Sequence, residues 1–154
     1  MDALMVDVFL SSYSTEPKQI VLDIDATNDP LHGQQEGRYY HGYYRQYCYL
    51  PLHVFCGGHP LLARVRGADV QPATGCVQEL EAIVRRIRER WPHVQIVVRG
   101  DSGFARDELM CWCEDNGDPR APAESGGDRP PDRTAHRRVP QQHVSSARYL
   151  PSRL

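Results

Sequence analysis

The residues best suited to chemistry in this sequence are aspartates that follow apolar segments. Residues 20–26 alternate apolar residues with Asp23 and Asp25, and the apolar run 94–98 leads through Arg99 and Gly100 to Asp101. A period of two places Asp23 and Asp25 on the same face of a strand. Two like charges side by side are costly to bury unless a cation lies there or the acids take part in a reaction. If the two segments are neighbouring parallel strands, their aspartates form an oxygen-ligand site that suits Mg²⁺ or Mn²⁺.

The elements that must position these aspartates follow from hydrophobic periodicity and from turn residues. The predicted helices are at 2–13, at 75–91 with Thr74 as the cap, and from about 105 to 115. The predicted strands are at 19–27 and 94–99, with an antiparallel hairpin at 52–56 and 61–66 around Gly57-Gly58. On the first helix, Leu4 and Val8 lie on one side, with Met5 and Phe9 beside them. The strand at 94–99 follows a crossover helix, so we expect it to lie parallel to the first strand. The pattern indicates an α/β protein whose acids meet at the carboxyl ends of two parallel strands.

Six of the eight tyrosines fall between Tyr39 and Tyr49. If this segment is one extended run, Tyr39, Tyr43 and Tyr47 share a face with His41. Such a run is typical of a half-buried strand with aromatic cross-strand packing. It is equally compatible with a surface that stacks on, or contacts the backbone of, nucleic acid. The sequence leaves both interpretations open.

Bulk properties exclude several classes of protein. The net charge is −2, so the whole chain shows no strong electrostatic preference for nucleic acid. There is no apolar run of about 18 residues, as a membrane span requires, and no signal-peptide pattern at the start. The odd number of cysteines, five, without a Cys-x-x-Cys pair, argues against a disulfide framework and for buried free thiols. These features favour a cytoplasmic protein of about one domain.

The composition changes after Gly117. Residues 118–154 hold 6 of the 12 prolines, 7 arginines and four large aliphatic residues, without periodicity. Such a segment buries too little apolar surface to offset the entropy of ordering it. We therefore expect one folded domain at 1–117 and a disordered tail at 118–154.

Several stretches together resemble bacterial insertion-sequence transposases of the DDE type, group 1. They are Ile20-Val21-Leu22-Asp23-Ile24-Asp25-Ala26-Thr27-Asn28-Asp29-Pro30, His32-Gly33-Gln34-Gln35-Glu36, Gly42-Tyr43-Tyr44, Tyr49-Leu50-Pro51-Leu52 and Arg99-Gly100-Asp101-Ser102-Gly103-Phe104. The resemblance is collinear and covers about residues 1–117. It implies a partial ribonuclease H-like fold, with a mixed sheet, a β-hairpin and a crossover helix.

The resemblance also implies a reaction and its residues. The first catalytic acid of the family, in an Asp-x-Thr motif, corresponds to Asp25, and the second, in Arg-Gly-Asp-Ser-Gly-Phe, corresponds to Asp101. In the family an Asp-Asp-Glu triad holds two divalent ions, Mg²⁺ or Mn²⁺, which assist DNA strand cleavage and transfer at transposon ends. For Asp23 we expect a structural or supporting role, and we keep it as a reserve ligand for the metal. The implied partners are transposon-end DNA, bound in the bacterial nucleoid, and further copies of full-length transposase.

The sequence also departs from the family pattern. Family members have a substantial N-terminal part before this point, and after it a strand and a distal helix that carries the catalytic Glu. Here the tail holds a single glutamate, Glu124, in Pro-Ala-Glu-Ser-Gly-Gly, which does not predict a helix. An Arg-, Pro- and Gly-rich stretch that begins abruptly at a motif edge is typical of a GC-rich gene read out of frame. We therefore expect this chain to be inactive alone.

An alternative is a haloacid-dehalogenase-like phosphohydrolase, because residues 22–27 also fit its apolar-Asp-x-Asp-x-Thr signature. In that reading Asp23 is the nucleophile, Asp25 the acid and base, and Asp101 a metal ligand. Those enzymes normally use a lysine downstream of the motif, whereas the single lysine here, Lys18, precedes it. The tyrosine-rich segment also does not belong in that fold.

Overall fold

A computed structural model of the protein describes residues 2–116 and 149–151. Its elements in chain order are α1 (Asp2–Ser11), β1 (Gln19–Ala26), β2 (Asp29–Pro30), β3 (Tyr39–His41), β4 (Gln46–Tyr49), β5 (Leu52–Cys56), β6 (His59–Arg64), α2 (Cys76–Arg90), β7 (Gln95–Gly100), a 3₁₀ turn (Ser102–Phe104), α3 (Asp107–Asn116) and β8 (Tyr149–Pro151). The described residues form an α/β structure with a mixed sheet, as the sequence predicts.

The main sheet has five strands in the order β6-β5-β1-β7-β8. The central strand β1 is antiparallel to β5 and parallel to β7, which confirms the predicted crossover through α2. β5 and β6 form the predicted hairpin around Gly57 and Gly58, although β6 begins at His59, two residues earlier than expected. On β1, Ile20, Leu22 and Ile24 are buried in the main core, and the alternate residues face away from it.

The buried face of α1 differs from the predicted one. Leu4 and Val8 are 65 % and 57 % exposed, whereas Val6, Phe9 and Leu10 are buried. The Phe9 ring makes an edge contact with the Trp91 ring at a centroid distance of 5.5 Å. Because both sides of this short helix carry apolar residues, periodicity alone could not select a face, and the large aromatic contact decides it.

Helix α2 packs as predicted but begins differently. Its buried residues are Cys76, Leu80, Ile83, Val84 and Ile87. The predicted cap at Thr74 is wrong, since the residue before the helix is Gly75, with a φ of 73° and no side-chain cap. Glycine adopts this left-handed conformation at little cost, so the chain enters the helix without a capping hydroxyl.

The tyrosine-rich segment forms a hairpin in a second, three-stranded sheet of order β2-β4-β3. The chain reverses at residues 42–45, where the Arg45 N–H donates a hydrogen bond to the His41 carbonyl oxygen at 2.8 Å. The expectation of one extended run is therefore wrong. The expectation of half-buried tyrosines is also wrong for five of the six, which are exposed: Tyr39, Tyr40, Tyr43, Tyr44 and Tyr47.

A short strand after residue 117 corrects a further prediction. Residues 149–151 form β8, which pairs in parallel with residues 98–100 of β7. The prediction of a tail without any strand is wrong at these positions, because backbone hydrogen bonds can form a ladder without a periodic apolar pattern. Residues 117–148 and 152–154 lie outside the described residues, so the predicted domain boundary at 117 and the disorder of those segments remain predictions.

Candidate active site

The register of two parallel strands brings Asp25 and Asp101 to the same end of the main sheet. β1 and β7 pair from Gln19 with Gln95 to Asp23 with Arg99. Continued by two residues, this register places Asp101 level with Asp25, immediately beyond the end of β7. Both aspartates are exposed and accessible to a ligand. The strand register thus places the two acids that the sequence singles out at the same carboxyl end of the sheet, where α/β sheets place their sites.

Gly100 allows the two strand ends to approach each other. A Cβ atom at this position would lie 2.8 Å from Cγ1 of Ile24 and 3.2 Å from Cβ of Phe104. Both neighbours are buried, so a side chain at residue 100 would have to displace packed core atoms. The glycine of the Arg-Gly-Asp stretch therefore fixes the position from which Asp101 extends.

Local hydrogen bonds orient both carboxylates. The Thr27 hydroxyl donates to Oδ2 of Asp25 at 2.5 Å. The Gly103 N–H donates to Oδ1 of Asp101 at 2.8 Å, which makes Asp101 the cap of the 3₁₀ turn. A side chain held by a partner loses less freedom when a ligand binds, so these bonds favour a site formed in advance.

Asp23 has a different environment from Asp25. Its two carboxylate oxygens accept hydrogen bonds from Nε and Nη2 of Arg99, the second at 2.9 Å. The hydrogen bonds that Arg99 donates to Asp23, together with the negative charge of Asp23, raise the pKa of Arg99. This fork geometry neutralises the carboxylate that lies two residues before Asp25. The ion pair with Arg99 offsets the unfavourable repulsion between Asp23 and Asp25 on one face of the strand. It also fits the structural role expected for Asp23.

Tyr44, on the turn of the tyrosine-rich hairpin, lies within electrostatic range of the acids. Partial burial and the neighbouring Tyr43 raise the pKa of the Tyr44 hydroxyl. The carboxylates of Asp101 and Asp25 raise it further, because a tyrosinate would repel them. The sequence drew attention to the tyrosines but gave no signal that the charges of the acids reach one of them.

The donor atoms near this edge are of the kind that binds hard divalent cations. Asp25 and Asp101 provide carboxylate oxygens. The described residues contain no group of three or more His, Cys, Asp or Glu arranged to hold a metal. The site is therefore a pair of acids with oxygen chemistry that fits Mg²⁺ or Mn²⁺.

Fold and site together define an α/β protein with paired aspartates at the carboxyl ends of adjacent parallel strands. The chain belongs to the family described as Transposase DDE domain group 1, which matches residues 1–118. This confirms the resemblance noted in the sequence and overturns the phosphohydrolase alternative, whose nucleophile would be the ion-paired Asp23.

Other comparisons add no relatives. Neither the curated proteins nor the solved structures include a significant match to this chain. Within the residues that the structure describes, no helix has the length and apolar character needed to cross a membrane.

Proposed function

We propose that this chain supplies the first two acids, Asp25 and Asp101, of a transposase site for divalent-metal-dependent cleavage and transfer of DNA strands. The observation that supports the proposal is the parallel register of β1 and β7 in a member of a DDE transposase family, because two further residues in that register lead to Asp25 and Asp101. Charge development at a scissile phosphate is stabilised by cations held at such acids.

The strand order supports a ribonuclease H-like fold for this domain. Three antiparallel strands, β6, β5 and β1, are followed across the sheet by β7 and β8, with α2 as the crossover. In the transposases that this sequence resembles, the catalytic site lies on the same arrangement, an antiparallel hairpin followed by a parallel strand that carries an acid. The proposal therefore assigns a supporting role to the hairpin strands β5 and β6, and the chemistry to the carboxyl ends of β1 and β7.

Asp25 and Asp101 would hold the ion, Mg²⁺ or Mn²⁺. When bound, a divalent ion activates the attacking oxygen and stabilises the leaving oxygen at the phosphate. The protein's own contribution is orientation: Thr27 and the Gly103 N–H each fix one carboxylate oxygen. Arg99 balances the charge of Asp23 in an ion pair, which reduces the repulsion between Asp23 and Asp25.

The metal-binding part of the proposal is tested by calorimetric titration of Mn²⁺ into the 154-residue chain. We expect weak binding to the wild type and its loss in Asp25→Asn and Asp101→Asn. Asp115→Asn, which changes an exposed carboxylate on α3, is the matched control and should bind as the wild type does. Equal binding by all four proteins would place the ion elsewhere and refute the assignment.

We also propose that this chain alone does not cut or join DNA. Two-metal phosphoryl transfer places its ions about 3.5–4 Å apart, which in the family requires a third acid. The sequence after Gly117 offers Glu124 in a Pro- and Gly-rich context as the single glutamate for that role. Mg²⁺-dependent nicking of supercoiled DNA by this chain, abolished in Asp101→Ala, would refute the proposed inactivity and leave the acid assignment in place.

The partners in this proposal are transposon-end DNA and further copies of transposase, in the bacterial cytoplasm. DNA is the substrate implied by the family. Assembly with full-length transposase would bring in the third acid, so a mixed assembly could be active where this chain is not. Sedimentation of the chain with and without transposon-end DNA tests the assembly, and a monomer in both conditions would argue against it.

A further inference from the structure

The tyrosine hairpin, defined here as residues 38–49, presents an unusual surface. Five of its six tyrosines are exposed, and Tyr43 at the turn is 84 % exposed. Folded proteins rarely leave contiguous apolar surface uncovered without a binding role. The cluster is ordered by ring contacts, with Tyr43 against Tyr44 at 5.1 Å and Tyr40 against Tyr47 at 5.5 Å between centroids.

The tyrosine hairpin is positively charged, whereas the chain as a whole has a net negative charge. Residues 37–68 contain no Asp or Glu, although the chain as a whole is acidic. The hairpin itself carries Arg38 and Arg45, and the Arg38 guanidinium lies 4.6 Å from the centre of the Tyr47 ring. Aromatic faces interleaved with arginines, in a segment that has no carboxylate of its own, match a strand of nucleic acid, whose bases stack and whose phosphates are anionic.

The turn has a conformation that arginine does not normally adopt. Arg45 has a φ of 54°, in the left-handed region, and it is the sole non-glycine residue with a positive φ among the described residues. Glycine would fit this position at lower conformational cost. An arginine in a left-handed turn points to a role for its side chain rather than for the backbone. In addition, Nδ1 of His41, whose ring packs on Tyr44, is buried without a hydrogen-bond partner in the described part of the chain.

The position of the turn connects this surface to the reaction. Strand β4 of the hairpin pairs with β2, which begins four residues after Asp25. The Tyr43 ring packs on Tyr44, which the charges of Asp101 and Asp25 reach. We propose that the turn of the tyrosine hairpin binds an unpaired base of the DNA next to the acid pair, with the Tyr43 ring stacked on the base and Arg45 on an adjoining phosphate. This inference rests on the proposed function for its substrate and adds to it a site for unpaired DNA.

The test measures binding of a short fluorescein-labelled single strand, and of the same strand as a blunt duplex, to the 154-residue chain by anisotropy. We expect Tyr43→Ala to weaken single-strand binding by about fivefold or more, since one stacked base is worth roughly that factor at least. Tyr43→Phe keeps the ring and should stay within about twofold of wild type. Leu4→Ala removes an exposed apolar side chain from α1 and should have no effect.

Arginine variants test the phosphate contact separately. Arg45→Ala should lower the slope of log affinity against log salt by about 0.7, the value for one phosphate contact on a single strand. Arg85→Ala, which removes an exposed arginine of α2, is the matched control and should leave the slope unchanged. Thermal melts of Tyr43→Phe and Tyr43→Ala show whether either variant is unfolded.

The proposal is overturned if Tyr43→Ala binds the single strand within twofold of wild type, or if every variant binds the duplex better than the single strand. It is also overturned if Tyr43→Ala abolishes self-association while DNA affinity is unchanged, because the hairpin would then be a contact between copies. All measurements contain EDTA, so they do not depend on the acids. If single-strand affinity does not depend on Tyr43 while Mn²⁺ binding depends on Asp25 and Asp101, this inference alone is refuted. If single-strand affinity depends on Tyr43 while Mn²⁺ binding does not depend on the two acids, the acid site alone is refuted.

Discussion

Gly100→Ala is the substitution that most sharply tests how the fold positions the acids. The added methyl group would lie 2.8 Å from Cγ1 and 3.3 Å from Cδ1 of Ile24, and 3.2 Å from Cβ of Phe104. Real Cβ atoms do not approach buried carbons this closely, and neither neighbour can move into solvent because both are buried. Overpacking of this kind typically costs about 1–3 kcal/mol.

The same clash has a consequence for the site. Asp101 is the next residue, so a displaced strand end moves its carboxylate away from Asp25. We expect Gly100→Ala to lower the free energy of unfolding by about 1–3 kcal/mol and to weaken Mn²⁺ binding, although no acid has changed. Urea denaturation and Mn²⁺ calorimetry measure the two effects on the same protein.

Two further variants make this prediction specific. Gly58→Ala places a methyl group where no atom lies within 4 Å and should be close to neutral in both measurements. In the double variant Gly100→Ala/Ile24→Ala, the truncated Ile24 leaves room for the new methyl group. Its loss of stability should therefore be smaller than the sum of the two single losses. If Gly100→Ala is as stable as Gly58→Ala and binds Mn²⁺ equally well, the close approach of the strand ends does not position the acids.

Three other predictions concern the described residues. Arg66→Met should lower the free energy of unfolding by about 2–4 kcal/mol in urea denaturation, because the half-buried guanidinium donates to three backbone carbonyls; a neutral result would refute that role. Cys111, the exposed cysteine, should react with Ellman's reagent far faster at neutral pH than buried Cys76, whose pKa burial raises to about 11, and equal rates would contradict this. The Arg86 hydrogen bond lowers the pKa of Asp7, so its stabilisation is present above the ordinary carboxyl pKa and is lost as the pH falls through the lowered value. Asp7→Asn should therefore be less stable than wild type at neutral pH and equal to it in strong acid, and a constant difference across pH would refute the linkage.

The strongly patterned elements could be predicted from the sequence. The alternation of Ile20, Leu22 and Ile24 and the three- and four-residue spacing in α2 determine the buried faces, because no other register hides them. Their strand ends then fix where Asp25 and Asp101 lie. The location of both acids at the carboxyl end of the sheet was predictable for this reason, since it depends on two strands and one crossover rather than on side-chain detail.

Other features depend on contacts that periodicity does not encode. α1 has apolar residues on both sides, and the Phe9 contact with Trp91 determines which side is buried. The hairpin turn requires a left-handed Arg45, which the sequence gives no reason to expect. β8 pairs through backbone groups that every residue carries. The pairing of Asp23 with Arg99 follows from the register of β1 against β7, which becomes known only from the fold.

The most direct test of the central claim is the paramagnetic broadening of backbone amide signals by substoichiometric Mn²⁺ in the 154-residue chain. If Asp25 and Asp101 hold one ion, the amides of Ala26 and Ser102 broaden together, with the same dependence on Mn²⁺, and both stay sharp in Asp25→Asn. Broadening at one strand end without the other, or around the acidic start of α3 instead, would contradict the claim that the two strands form a single site.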